Sequence, residues 1–450
     1  MKKNAICAVL TAAMTASMLI GCGSAAPAST AASSAAPAAA SSAAAATSAA
    51  PAAATSAAAA ATSAAASGDL KTVKVYGKVV EYTSGPMMMD ALTKAEAGKY
   101  NIDAIQVDWA NLDKVIRTGI ASGDPCDIYN YAPTSCVTNF SDMAVDLKPY
   151  LDADPEWKAQ FRDEDLAAGT TADGRIIDVP WESNFSVILA NKTKLDEMGI
   201  TIPDSWTYDD FVKVCQKIKD AGLFPFANAT DLNRADWIFR NAMLSEVCTD
   251  GKYEDFTAGK VSYKGDEAKR ALENTKMLYD KGYMYPGDGA VTAKGDEIKA
   301  AFYQGKLLMM PEIAAGAKVT ASGADFDVVA IPWPSSNTTP AILGGLNGFF
   351  IPKNCKDVDA AVDVLKTLTS SDIMKIHAEQ GYIPVNTKVE VTDPFVKSVI
   401  AQAATLKAPE DPATPEMNDY KANQLMPDLI LNGGVATAQD ALESLRTAAQ

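Results

Sequence analysis

From Thr72 onward, short apolar segments alternate with amphipathic ones at a pace that leaves few folds open. Residues 72–76 (TVKVY) alternate as a strand, 86–99 read as a helix, and 102–107 (IDAIQV) form a second strand. Residues 112–121 read as a helix closed by Ser122-Gly123-Asp124-Pro125, and 126–129 (CDIY) as a third strand. Strand–helix–strand at this spacing predicts a parallel α/β unit whose crossovers cover both sheet faces. Ligands of such sheets collect beyond the carboxyl ends of the strands. Residues 82–85, 108–109 and 130–134 are therefore candidate pocket loops. The middle third is more helical: Thr207 supplies an N-cap signal for a helix over 208–220, and others are expected near 234–247, 265–281 and 295–303. Strands return at 326–331 and 346–351, and the tail from Val358 is mostly helical. Strands that reappear after a helical insertion predict two α/β lobes sharing the chain, and 450 residues suit two or three domains.

The first 68 residues stand apart. Met1-Lys2-Lys3-Asn4 is a basic start, followed by an apolar run too short and too rich in Ala and Thr for a membrane span. It reads as an export signal over residues 1–21. The run ends in Leu19-Ile20-Gly21-Cys22, which resembles the bacterial lipobox and implies a lipid on Cys22. Residues 22–68 are nearly all Ala, Ser, Thr and Pro, with no amphipathic face to bury, and read as a tether. Random-coil scaling gives such a segment a reach of roughly 35–40 Å. An Ala-rich stalk with partial helix is the other reading.

Composition removes several functions. The formal charge of −16 gives no reason to seek phosphate backbones, so nucleic acid is not an expected partner. The single histidine, His377, excludes His-rich zinc sites and HExxH helices. There is no P-loop, no GxSxG elbow and no calcium loop, and no metal or cofactor is expected. Beyond Cys22 the cysteines are Cys126, Cys136, Cys215, Cys248 and Cys355, without CxxC spacing. Cys126 and Cys136 could pair in an exported chain, or all five could be buried thiols.

Four blocks carry a resemblance. The first runs Asp173-Gly174-Arg175-Ile176-Ile177-Asp178-Val179-Pro180, then 187–192 (VILANK), 195–200 (LDEMGI) and 203–211 (PDSWTYDDF). The second is 301–310 (AFYQGKLLMM), the third 344–351 (GGLNGFFI) with 360–371, and the fourth Gly381-Tyr382-Ile383-Pro384. In order and spacing they resemble the extracellular solute-binding proteins of ABC importers, nearest the carbohydrate-binding group that includes the maltose-binding proteins. The resemblance covers about residues 70 to 450. It implies two lobes with a ligand cleft between them and three hinge crossings, near 180–184, 345–348 and 378–384. The lobe segments become 69–181 and 347–378 for the first, and 182–346 and 379–450 for the second. It also implies a monomer, anchored to the cell membrane on its outer side, that binds a small carbohydrate and hands it to the importer's membrane subunits. It implies no enzymatic activity; an exported glycoside hydrolase and a receptor for a non-sugar solute are the alternatives.

Sugar recognition needs aromatic faces against C–H surfaces and fixed polar groups against hydroxyls. Trp109, Tyr131, Trp181, Trp237, Trp333, Tyr382 and Tyr420 are the aromatics expected in loops, crossings or cleft-facing helix starts, with Trp181 and Trp237 matching cleft positions of the family. Core packing is the alternative for each. The polar candidates are Asp127, Asn184, Asn233, Arg234, Glu312 and Asn347, with Glu182 an alternative to Asn184. Asp127 falls in the family's "P-D-I" block, where Cys126 replaces the proline. Arg234 could hold an acidic group or pair with Asp231 or Asp236. Many relatives carry a stacking tryptophan after the 305–310 block; this chain reads Met310-Pro311-Glu312 there, so Glu312 would offer a hydrogen-bonding acid instead.

Overall fold

The structure is a computed structural model that describes residues 70–107, 109–230, 236–336, 341–403, 406–407 and 414–449. The signal and tether segments, Cys22, Asn233 and Arg234 lie outside the described residues.

Strand β1 (Lys71–Gly77) pairs in parallel with β2 (Tyr100–Gln106) and β3 (Ile128–Tyr131), as the strand–helix alternation predicts. Helices Gly85–Ala95 and Trp109–Ser122 make the two crossovers. The third strand begins at Ile128 rather than at Cys126, so Asp127 precedes it instead of ending it. Its carboxylate accepts from the backbone N–H of Lys74 at 2.8 Å, and the Cys126 thiol donates to the Lys74 carbonyl at 2.8 Å. Two side chains thus lock the chain before the ladder starts. All five described cysteines are free, so Cys126 and Cys136 are not bridged.

The sheet then changes character. Strand β4 (Val179–Asn191) runs 13 residues and pairs antiparallel with β5 (Met309–Ile313), β6 (Val328–Ile331) and β7 (Ile342–Phe350). β7 also closes on β3, giving the order β2-β1-β3-β7-β4-β5, with β6 beside β4. β7 starts four residues earlier than its apolar run suggested, because pairing with β4 holds the half-exposed Gly344–Asn347 stretch extended.

The core divides along β4 and β7. Val73, Val75, Ile128, Trp181 and Phe349 belong to one apolar cluster, joined by the tail residues Val364, Leu365 and Met374. Phe185, Val187 through Ala190, Trp206, Phe226, Phe302 and Trp333 belong to another, with Ile342. Between Trp181 and Phe185 the chain leaves one core for the next, and it does so again between Phe349 and Ile342. This is a two-lobed α/β fold in which β4 and β7 run from one core to the other. Thr207 caps helix Tyr208–Asp220 as its sequence predicts, accepting from the Asp210 N–H at 3.3 Å.

One contact between β4 and β7 is unusually close. Asp178, fully buried just before β4, lies against Gly348, where an added Cβ would sit 1.7 Å from Asp178 Oδ1. Only a residue without a side chain admits that approach. Burial pushes the Asp178 carboxyl well above the ordinary aspartate range, opposed by the Cys136 thiol. Neither of its oxygens has a hydrogen-bond partner of good geometry among the described residues.

Candidate functional site

Three chain segments lie side by side where the two cores meet. Glu182 on β4 pairs with Asn347 on β7, and on its other side with Pro384. The Ser183 N–H donates to the Ile383 carbonyl at 2.8 Å, and the Val385 N–H to that of Trp181 at 3.0 Å. The register slips between Pro180 and Glu182, so two β4 residues oppose one on β7. Such a bulge re-aims adjacent side chains. Here Trp181 stacks on Phe349 in the first core, at 5.4 Å between ring centroids, while Glu182 enters a polar cluster. Gly381, at φ +92, turns the third segment under the Lys318 side chain.

Glu182 is the node of that cluster. Its Oε2 accepts from the Tyr82 hydroxyl at 3.0 Å and from Asn347 Nδ2 at 2.6 Å, and its Oε1 lies 3.3 Å from His377 Nε2. A carboxylate only accepts, so Nε2 carries the imidazole proton. Nδ1 is left to accept from the Ser84 hydroxyl at 2.8 Å. The rings assemble around the same point: Tyr382 stacks on His377 at 4.4 Å and 7°, and Tyr82 lies 5.0 Å from Tyr382. The Tyr382 hydroxyl meets the Thr83 N–H at 3.2 Å and the Thr83 Oγ1 at 3.0 Å. One lobe's 82–84 loop is thereby tied to all three crossing segments.

Ser84, His377 and Glu182 follow the hydroxyl–imidazole–carboxylate order of a nucleophile relay. All three are buried, and Glu182 also carries Tyr82 and Asn347. No substrate carbonyl can reach Ser84 Oγ in this arrangement; the chain of bonds positions side chains. Burial lowers the His377 pKa from its ordinary value, against the pull of Glu182. An imidazole whose native pKa is depressed contributes stability above the ordinary histidine value and loses it as pH falls toward the native one. His377 should therefore contribute a loss of about 1.4 kcal/mol per pH unit as pH drops below about 6.5, read as the difference between wild type and variant. In urea titrations across that range the stability of His377→Gln relative to wild type should rise by that amount as pH falls, and parallel slopes would refute it.

The structure gathers Trp181, Asn347 and Tyr382, with Asn184 two residues from the node. Asn184 Oδ1 accepts from the Ala315 N–H at 3.3 Å. Glu312 is nearby on β5 but buried, its Oε2 accepting from the Thr320 hydroxyl at 2.8 Å. Trp237 opens helix Trp237–Thr249, half-buried against the second core. Trp109 opens helix Trp109–Ser122.

Others stand apart from the node. Tyr131 ends β3 and donates to Asp113 Oδ1 at 3.1 Å; burial and then the Asp113 charge push its phenol up to about 12. Asp127 sits at the opposite, amino end of that strand. Trp333 is buried edge-on to Phe226, and Tyr420 donates to Asp428 Oδ2 at 3.2 Å in a third cluster.

Sequence reasoning missed four residues of the cluster: Tyr82, Thr83, Ser84 and His377. The topology had marked 82–85 as a pocket loop, and that signal could have ranked Tyr82. It also missed Asn241, which binds Leu343 N through Oδ1 at 2.9 Å, and Ser186 and the Trp237 carbonyl through Nδ2 at 3.1 and 2.8 Å. That residue fixes the start of the Trp237 helix to both crossing strands. Among the described residues no group of three or more His, Cys, Asp and Glu could hold a metal ion, and no helix is long and apolar enough to cross a membrane.

The sequence pattern of bacterial extracellular solute-binding proteins matches residues 76–375, a stretch that includes every strand from β2 to β7 and, of the node, Tyr82, Ser84, Glu182 and Asn347, ending just before His377 and Tyr382. The chain belongs to that family. A multiple sugar-binding protein of Streptococcus mutans is 24% identical over 331 residues, covering 69% of this chain and 75% of that one. Among solved structures, the acarbose-binding GacH receptor of Streptomyces glaucescens matches with a TM-score of 0.68 at 17% identity, covering 84% of this chain and 99% of that one. An ABC substrate-binding protein of Listeria monocytogenes in complex with cycloalternan gives 0.69 at 16%, covering 85% and 99%. At these identities the structures show a shared fold. The Glu182 node lies where three segments join the two apolar cores.

Proposed function

We propose that this solute-binding protein captures a sugar or oligosaccharide between its lobes and delivers it to the membrane subunits of an ABC importer. The observation that carries the reading is the aromatic and polar cluster of Tyr82, Trp181, Asn347 and Tyr382 where three segments join the two cores. Rings and fixed hydrogen-bonding groups together suit a polyhydroxylated ligand. The sugar-binding relative supports the same class. Closure is a population shift: a ligand touching both lobes favours the closed state by its differential affinity. The lobes meet within the 181–185 and 342–349 stretches, with residues 379–450 returning mostly to the second lobe. The lipobox-like Leu19-Ile20-Gly21-Cys22 supports a lipid anchor on Cys22, with the 22–68 tether holding a monomer at the outer face of the cell membrane. The protein acts by binding, without turnover.

The test is a thermal-shift screen of the chain against mono- and oligosaccharides, with amino acids, polyamines and peptides as controls. A saccharide at 100 times its Kd should stabilise the fold by about 2.7 kcal/mol. Trp237→Ala should abolish that shift. A response to a control class alone would overturn the carbohydrate assignment, and product formation would overturn the binding one.

A further inference from the structure

Hydrogen bookkeeping fixes what Tyr82 and Asn347 can offer a ligand. The Tyr82 O–H is spent on Glu182 Oε2, and the oxygen already accepts one hydrogen bond from Asn347 Nδ2 at 3.3 Å. Asn347 Nδ2 has two hydrogens; one goes to Glu182 and one to Tyr82. The reverse amide orientation would set two acceptor oxygens against each other at 2.6 Å, so the assignment is forced. What remains on these two half-exposed side chains is acceptor capacity: one lone pair on the phenol oxygen and the whole Asn347 Oδ1. Among the described residues, Oδ1 has no hydrogen-bond donor.

The field behind them has the same sign. The protein groups on the Glu182 carboxylate are a phenol, an amide and an imidazole, with no lysine or arginine among its described ion pairs. Burial first, then Glu182, Tyr382 and Glu81, hold the Tyr82 phenol well above its ordinary value. A sugar hydroxyl meeting this patch rotates to donate, and an ammonium donates outright. A carboxylate or phosphate has no hydrogen to give, and would face Glu182 through a single layer of side-chain atoms.

We infer that Tyr82 and Asn347 form an acceptor-only floor that selects neutral or amino sugars over uronic acids and sugar phosphates, with the sealed Glu182 as the positioning residue that enforces it. The inference deepens the sugar-binding reading and rests on it. Glu182 never touches the ligand; it consumes the donors of the two residues that do and supplies the opposing charge.

The experiment titrates the full chain with matched saccharides: xylotriose, maltotriose and cellobiose as neutral probes, glucosamine dimers as amino probes, and digalacturonate, glucuronate and glucose 6-phosphate as acidic ones. Each acidic probe should bind at least about tenfold more weakly than the best neutral or amino one. Glu182→Gln removes the charge and returns a donor, so the gap should narrow by about tenfold. If that variant does not fold, Tyr82→Phe serves: it deletes one acceptor and one hydrogen bond to Glu182 while keeping the carboxylate's charge, and neutral binding should weaken several-fold while acidic binding does not. An acidic probe bound as tightly as the neutral ones overturns the inference, as does an unchanged gap in folded Glu182→Gln or unchanged neutral binding in Tyr82→Phe. Silence from every saccharide class overturns the sugar-binding reading itself, and is distinguishable because no acidic probe responds either.

Discussion

Gly348→Ala is expected to cost the fold about 3 kcal/mol or more, an overpacking effect at or above the usual upper range. The new Cβ would lie 1.7 Å from Asp178 Oδ1, 2.8 Å from its Cγ and 2.9 Å from Pro133 Cγ. Relief by backbone movement is blocked on both sides, since Gly348 is in register with Tyr131 on β3 and Pro180 on β4. Its carbonyl also accepts from Asn130 Nδ2 at 2.9 Å, and Asn130 in turn holds the Val79 N–H at 3.1 Å. Relief by rotation is blocked because Asp178 is fully buried. Urea denaturation of the purified protein measures the loss. The double variant with Asp178→Ala, which vacates the colliding atoms, should recover much of it, giving a non-additive coupling of about 1–3 kcal/mol. A Gly348→Ala protein within about 0.5 kcal/mol of wild type would mean that the two strands do not approach this closely.

The glycines of residues 344–348 show how far the sequence could be read. A glycine-rich run at a crossing suggests freedom to bend, and a hinge does need a few residues that absorb backbone change. Gly348 is there for another reason: it is packed too tightly to hold a methyl group. Local pattern found the parallel unit because each strand and helix announces itself by its own periodicity. It placed most helices within a few residues for the same reason, Thr207 and the Tyr208–Asp220 helix being the plainest case. It did not show β4 as one 13-residue strand, since Pro180 and the polar Glu182-Ser183-Asn184 break the apolar run. Pairing with β5, β6, β7 and the 383–385 segment holds that strand together, and such partners are invisible in a local window.

The candidate site divides along the same line. Trp181, Asn347 and Tyr382 were legible because they sit in blocks with recognisable spacing. Glu182 was only an alternative, for a bulge between Pro180 and Glu182 decides which neighbour turns toward the cluster. Tyr82 and His377 are 295 positions apart and meet at 5.9 Å between ring centroids. No spacing rule joins them. His377 mattered in the sequence for the enzymes its solitude excluded, and in the fold it is the group that orients the central carboxylate.

Asp178→Asn should stabilise the protein, by an amount that grows with pH. A carboxyl whose native pKa is raised binds a proton that the unfolded chain has already released, so the wild type loses stability as pH climbs from the ordinary aspartate value toward the native one. The loss is about 1.4 kcal/mol for each pH unit in that window. Below it, both states are protonated, and the variant should match wild type to within about 1 kcal/mol. Above it, the neutral amide escapes the penalty, since it fills the same space against Gly348 and has no charge to desolvate. Near neutral pH the substitution should therefore be stabilising, by an amount that reports how far the native carboxyl is raised. The slope is opposite in sign to that expected from His377, whose penalty appears on acidification, so between the ordinary aspartate and histidine values the two offset each other in the wild type, and each variant should expose the slope of the group it retains. Denaturant midpoints for both variants and wild type, taken from about pH 4 to pH 8, separate the contributions. An Asp178→Asn protein that is uniformly less stable across that range would show that the carboxyl is held ionised by partners and that its burial carries no proton.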